Sequence, residues 1–152
     1  MLWYMPEYFD IISKRIIKYM VANKRKIRDL LHPELSYNIV GLCFKVHNNL
    51  GRYRNEQQYA DALEVLFKED GIDFEREKFL PKSFEGEQNR NKPDFVIEDK
   101  IILDLKAKTR LTKEDYYQMR RYLDSGNKEL GILVNFRQKN IAPKRILNRL
   151  NN

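Results

Sequence analysis

Apolar residues recur at helical spacing through Leu35, Ile39, Leu42, Cys43, Val46 and Leu50, which predicts a helix that Gly51 can end. Asn55 is a good cap for a second helix, with Tyr59, Ala62, Leu63, Leu66 and Phe67 along one side and Gly71 closing it. An extended segment follows from Phe74 to about Leu80, and then a polar loop over Glu85 to Lys92. Two short runs rich in Phe, Val, Ile and Leu, parted by Glu98-Asp99-Lys100, read as a β-hairpin. Thr112 can cap a third helix, running to about Asp124 and broken by Ser125-Gly126-Asn127. Leu130 to Phe136 reads as a buried strand, and Asn140-Ile141-Ala142-Pro143 leads into a short basic C-terminal helix. Upstream, residues 7–30 form a basic amphipathic helical pattern with Phe9, Ile12, Ile16 and Tyr19 on one side, which His32-Pro33 interrupts. The expected class is α/β (α+β): a central sheet with helices on its faces and no internal repeat.

The hairpin is informative because its two strands hold charge at chosen places. Residues directly opposite each other on paired strands point to one side of the sheet. With a loop of odd length centred on Asp99, Asp94 faces Asp104, and one face carries Asp94, Val96, Ile102, Asp104 and Lys106. The other face, with Phe95, Ile97, Ile101, Leu103 and Leu105, is then wholly apolar. A two-residue turn at Asp99-Lys100 would put the two aspartates on opposite faces. The clean apolar face favours the odd loop.

Composition narrows the class. At 42% hydrophobic residues the chain can build a core, and 152 residues suit one domain. No apolar run reaches the roughly 18 residues of a membrane span. The first residues lack a basic segment followed by an apolar one, so no secretion signal is expected and a cytoplasmic location is. One cysteine and two histidines exclude a disulfide framework and a Cys/His zinc cluster. Cys43 and His47 are four apart, as a dyad would need, but the apolar surroundings of Cys43 favour a buried structural thiol. The net charge of +7 is uneven: residues 1–33 carry seven Lys/Arg against three acids, and residues 137–152 carry five against none. Basic ends around a slightly acidic middle suit arms that grip a polyanion, although lysine-rich ends also serve solubility. The first basic helix could also lie on a membrane surface or pack on a second subunit.

Charges within apolar strands are costly unless paired or bound to an ion. Asp94 and Asp104 with Lys106 two residues on suit a hard divalent cation and a water to be activated, the alternative being a surface hairpin with ordinary solvated charges. Glu56 shares the inward face of its helix with Tyr59 and Leu63, so it can be a third carboxylate or a solvated acid favoured by the helix dipole. Gln118 and Tyr122 share a helical face, where glutamine can steady Lys106 or meet a phosphate with Tyr122 stacked beside it, or can equally be an ordinary solvent-facing residue. Arg110, Arg120 and Arg121 are candidates for phosphate contacts.

Assembled in this order, the residues resemble the PD-(D/E)xK nuclease superfamily, and within it the GxxExxY-type subgroup. Pro93-Asp94 and Asp104-Leu105-Lys106 match the two halves of the signature, Glu56-x-x-Tyr59 the end of the helical motif, and Gln118-x-x-x-Tyr122 an auxiliary motif of RecB-like members. The resemblance spans residues 34–136, flanked by a basic N-terminal extension over 1–33 and the basic helix over 137–152. One position departs from it: Tyr53 stands where the subgroup has glycine. The resemblance implies a restriction-endonuclease-like αβββαβ core and a Mg²⁺- or Mn²⁺-dependent nuclease acting on nucleic acid, DNA favoured. In it Asp94, Asp104 and the Leu105 carbonyl hold the metal, with Glu56 as a further ligand. Lys106 orients or activates the attacking water and helps neutralise the phosphate, and Gln118 assists. A catalytically idle nucleic-acid- or protein-binding domain of the same fold is the alternative. The partner expected is nucleic acid rather than a membrane, and a homodimer is compatible with it.

Overall fold

The computed structural model describes residues 14–15 and 31–148. Of the basic helix expected over 7–30, only Lys14 and Arg15 fall among these; both are helical and exposed, and the rest lies outside the described residues.

Helix α1 (Pro33–Leu50) begins with proline in its first turn, where no backbone donor is lost, and ends at Gly51. Gly51 has φ 75, a left-handed value that costs glycine little. Helix α2 (Glu56–Glu69) starts from a reciprocal cap: Gln58 N donates to Asn55 Oδ1 at 2.9 Å, and Asn55 N donates to Gln58 Oε1 at 3.0 Å. Helix α3 (Lys113–Gly126) is capped by Asp115, whose Oδ2 accepts from Thr112 N at 2.7 Å, and it closes with Asn127 in the left-handed region.

The sheet has five strands in the order β1-β2-β3-β4-β5, with β1 Phe74–Arg76, β2 Phe95–Ile97, β3 Ile101–Lys106, β4 Leu130–Asn135 and β5 Lys144–Leu147. Only β3 and β4 run parallel, joined by the α3 crossover. Helices α1 and α2 cover one face through Ile39, Val46, Tyr59, Leu63 and Phe67, which pack on Phe95, Ile97, Ile101, Leu103 and Leu105. Helix α3 covers the other, where Met119, Tyr122 and Leu123 meet Val96, Ile102, Leu133 and Ile146. Among the described residues no helix is long and apolar enough to cross a membrane.

The hairpin takes the odd loop. Phe95 pairs with Leu103, Val96 with Ile102 and Ile97 with Ile101, so the register is centred on Asp99. Glu98 and Asp99 both have positive φ (50 and 54), and Lys100 N bonds Ile97 O at 3.0 Å. This is the backbone sign of a primed turn, with Lys100 as the extra residue.

Two expectations are corrected. The extended segment ends at Arg76 rather than near Leu80, because Glu77 (φ 53) turns the chain round the sheet edge. Phe74 therefore packs with α1 and α2, while Leu80 packs under α3. The basic C-terminal helix is instead β5 through residues 144–147, antiparallel to β4 and pairing Gly131 with Ile146; residues from 149 on lie outside the described residues. Without β5 the backbone groups along that edge of β4 would have no partner, and this long-range pairing outweighs a weak local helical pattern. Arg145 fastens the strand to the start of α1 through Ser36 Oγ and, at 3.1 Å, the Leu31 carbonyl.

Candidate active site

The register that turns Phe95, Ile101, Leu103 and Leu105 toward α1 and α2 sends Asp104 and Lys106 to the α3 side, and Asp94 meets them from just before β2. Asp104 is 4% exposed. A buried carboxylate needs compensation, and the Lys106 Nζ stands 3.0 Å from its Oδ2, with the Asp94 N–H at 3.4 Å from Oδ1. Asp94 Oδ2 accepts from Leu105 N at 2.7 Å. That amide lies beyond the end of β2, so the Asp94 side chain satisfies a ladder donor the shorter strand leaves open. The Leu105 carbonyl emerges from the same side of β3 as its amide, because successive residues of a strand alternate and Lys106 O bonds Phe136 N on the β4 side at 2.8 Å.

The electrostatics follow from this crowding. Burial first, then the charge of Asp104, pushes the Asp94 carboxyl up to about 8, with a smaller contribution from Glu56 and partial relief from the Leu105 amide. For Lys106 burial acts to lower the pKa, but the charge and hydrogen bond of Asp104, with Glu56 and Asp115, outweigh it and hold the ammonium above its ordinary range. Lys106 Nζ also donates to Gln118 Oε1 at 2.7 Å, so helix α3 fixes the ammonium from the far side. Lys106 is thus a positioned cation, not a free base.

Other candidate residues divide sharply. Glu56 is exposed in the first turn of α2, and its charge reaches Asp94 and Lys106. Among the described residues no group of three His, Cys, Asp or Glu is placed to hold a metal ion. Arg110, Arg120 and Arg121 are all exposed, the last two on α3. Tyr122 is corrected: at 6% exposure it belongs to the apolar cluster under α3 and offers no ring face to a base. Burial and the charges of Asp104 and Asp94 raise its phenol pKa. Cys43 is fully buried, and burial pushes its thiol up to about 12. His47 Nε2 bonds the Gln138 carbonyl at 2.8 Å, so the Cys43–His47 dyad has no support.

Tyr59 ties the site loop together. Its hydroxyl donates to Gly51 O at 2.5 Å and accepts from Arg54 N at 3.2 Å, while its ring stacks on Phe136 at 4.3 Å. The loop before Glu56 is therefore stitched to the core. Tyr53 is not among the positive-φ residues, and Gly51 takes the left-handed position, so tyrosine at 53 brings no backbone strain.

Sequence reasoning missed a polar brace beside the site. Lys108 Nζ reaches Asp115 Oδ2 at 2.9 Å, and Asn135 Nδ2 donates to Lys108 O at 2.8 Å while its Oδ1 accepts from Lys108 N at 3.1 Å. The signal was present in part: Thr112-x-x-Asp115 has the spacing of a reciprocal helix cap.

A family model described as the PD-(D/E)XK nuclease superfamily matches residues 33–149, well over half of the chain and reaching through β5. Comparison with curated proteins and with solved structures gives no match.

Proposed function

We propose that this chain, which belongs to the PD-(D/E)XK nuclease superfamily, is a metal-dependent nuclease that hydrolyses phosphodiester bonds of nucleic acid, with DNA favoured. The observation that carries the reading is the meeting of Asp94, Asp104 and a Gln118-held Lys106 at one end of the β2–β3 hairpin. Two adjacent carboxylates, one pushed up to about 8 by burial and by its neighbour, form an arrangement that excess negative charge destabilises. A hard divalent cation relieves this, and an all-oxygen set of few protein ligands suits Mg²⁺ or Mn²⁺. Asp94, Asp104 and the Leu105 carbonyl would hold it, with Glu56 reaching it through water. When bound, the ion supplies a more acidic water and offsets charge on the phosphate.

The chain's own residues do the rest. The Leu105 amide fixes one oxygen of Asp94, leaving the other directed by the hairpin. Lys106 keeps its proton and presents an ammonium beside the carboxylate pair, where it orients the attacking water and stabilises the crowded phosphate. Gln118 holds that ammonium in place. Arg110, Arg120 and Arg121, being exposed, would meet neighbouring phosphates.

The test is incubation with plasmid and linear DNA in Mg²⁺, Mn²⁺ or EDTA, beside Asp104→Asn and Lys106→Ala. Metal-dependent cleavage that falls roughly a hundredfold or more in both variants is expected. Binding without cleavage under every condition would instead favour the idle binding domain.

A further inference from the structure

A cavity of about 580 Å³ opens at the C-terminal ends of β3 and β4, the end of the sheet at which Lys106 lies, and Arg52, Thr109, Arg137, Gln138, Lys139 and Asn140 line it. Its wall is braced. Arg52 Nε donates to Arg137 O at 3.0 Å and Arg137 Nε to Arg52 O at 2.9 Å, and His47 ties down the Gln138 carbonyl. Those bonds use only Nε of each guanidinium. Three cations line the cavity and no acid does, and none of the ion pairs among the described residues involves Arg52, Arg137 or Lys139. Like charges gathered without counter-charge fit an anion that joins them. Next to Arg52 in the chain, Tyr53 is 80% exposed, and the Arg52 guanidinium lies over one face of its ring at 5.3 Å from the centre, which leaves the other face open to solvent.

We propose that this cavity and Tyr53 form a subsite for a single-stranded stretch of nucleic acid, with a backbone phosphate among Arg52, Arg137 and Lys139 and its base stacked on Tyr53. The assignment rests on the nuclease reading and adds to it a strand type. A cationic pocket tracks the backbone of any nucleic acid, but an exposed aromatic face beside it is used only by a base that is out of the duplex stack. Arg52 and Tyr53 lie between Gly51 and Arg54, the two loop residues that the Tyr59 hydroxyl bonds, so the subsite is joined through this loop to α2 and Glu56.

The experiment is fluorescence anisotropy of a labelled 12-nucleotide single strand and the matching duplex, in EDTA so that no turnover is required. The full chain is compared with Tyr53→Ala, Tyr53→Phe and Lys139→Gln, each checked for an unchanged melting curve. Both positions are exposed, so folding should survive. Tyr53→Ala should bind the single strand roughly fivefold or more weakly, Tyr53→Phe should restore that binding, and neither should change duplex affinity. Lys139→Gln should lower the slope of log K against log salt by about 0.7 on the single strand. Undiminished single-strand binding in Tyr53→Ala, equal losses on both substrates, or an unchanged slope in Lys139→Gln would each overturn the subsite. Because binding is read without metal, these outcomes stay distinct from presence or absence of cleavage.

Discussion

Asp94 and Asp104 are close enough that one carboxyl resists ionising, and the sign of the consequence can be worked out. In the folded chain burial and the charge of Asp104 push the Asp94 carboxyl up to about 8, against an ordinary value near 4, so the fold favours the protonated acid. Its stabilising contribution is complete below about pH 4 and is lost as pH rises through about 8. In metal-free buffer, therefore, the melting temperature of Asp94→Asn minus that of the unaltered chain should grow from pH 4 to pH 8, reaching roughly 3 °C or more. Thermal melts in EDTA check this, and added Mn²⁺ should shrink the gap by stabilising only the unaltered chain. Gln118→Ala removes one of the two partners of the Lys106 ammonium. It should lower kcat roughly ten- to hundredfold with KM little changed, which steady-state cleavage would measure. Much of this centre was readable from strand alternation, since Asp94, Asp104 and Lys106 sit where an odd loop puts them. The depth of Tyr122 was not readable, because i,i+4 spacing shows that Gln118 and Tyr122 share a face without showing how deeply that face sinks against the sheet.

The hairpin and the three described helices follow from local chemistry: apolar alternation, Asn55 and Thr112 at helix starts, glycine or asparagine at helix ends. The C-terminal strand does not, because Lys144 to Leu147 becomes a strand only by meeting the open edge of β4. Non-local pairing of this kind leaves little trace in four residues. The bend at Glu77 is similar, being set by the sheet edge that the chain must round. Helix α3 and β4 touch at Gly131, where an added Cβ would lie 2.4 Å from Met119 Sδ and 2.8 Å from Met119 Cγ. Gly131→Ala should push α3 off the sheet and destabilise the chain by about 1–3 kcal/mol, seen as a lower denaturation midpoint. Since Gln118 neighbours Met119, nuclease activity should fall in parallel. Tyr59→Phe deletes the hydroxyl that joins Gly51 to Arg54 and should cost about 1 kcal/mol by the same measurement.

Across the molecule, the sheet separates two tasks. The face under α1 and α2 supplies the larger apolar core, with Arg76 and Arg145 pairing to the helices at its two edges. The α3 face gives up part of its apolar area to a buried aspartate, a lysine and a glutamine, and the parallel strand ends open onto a cavity lined with cations. A net charge of +7, with the acids of the centre held close to one lysine, suits a polyanion drawn to the protein at large and a cation drawn to one point of it. The match over residues 33–149 includes β5, which fits its place as a fifth strand of the same sheet. The most direct trial of the central claim is titration of Mn²⁺ followed by electron paramagnetic resonance. One Mn²⁺ bound per chain, lost in both Asp94→Asn and Asp104→Asn and kept in Lys106→Ala, is the result this account predicts. Binding that neither aspartate substitution weakens, or no binding at all, would contradict it.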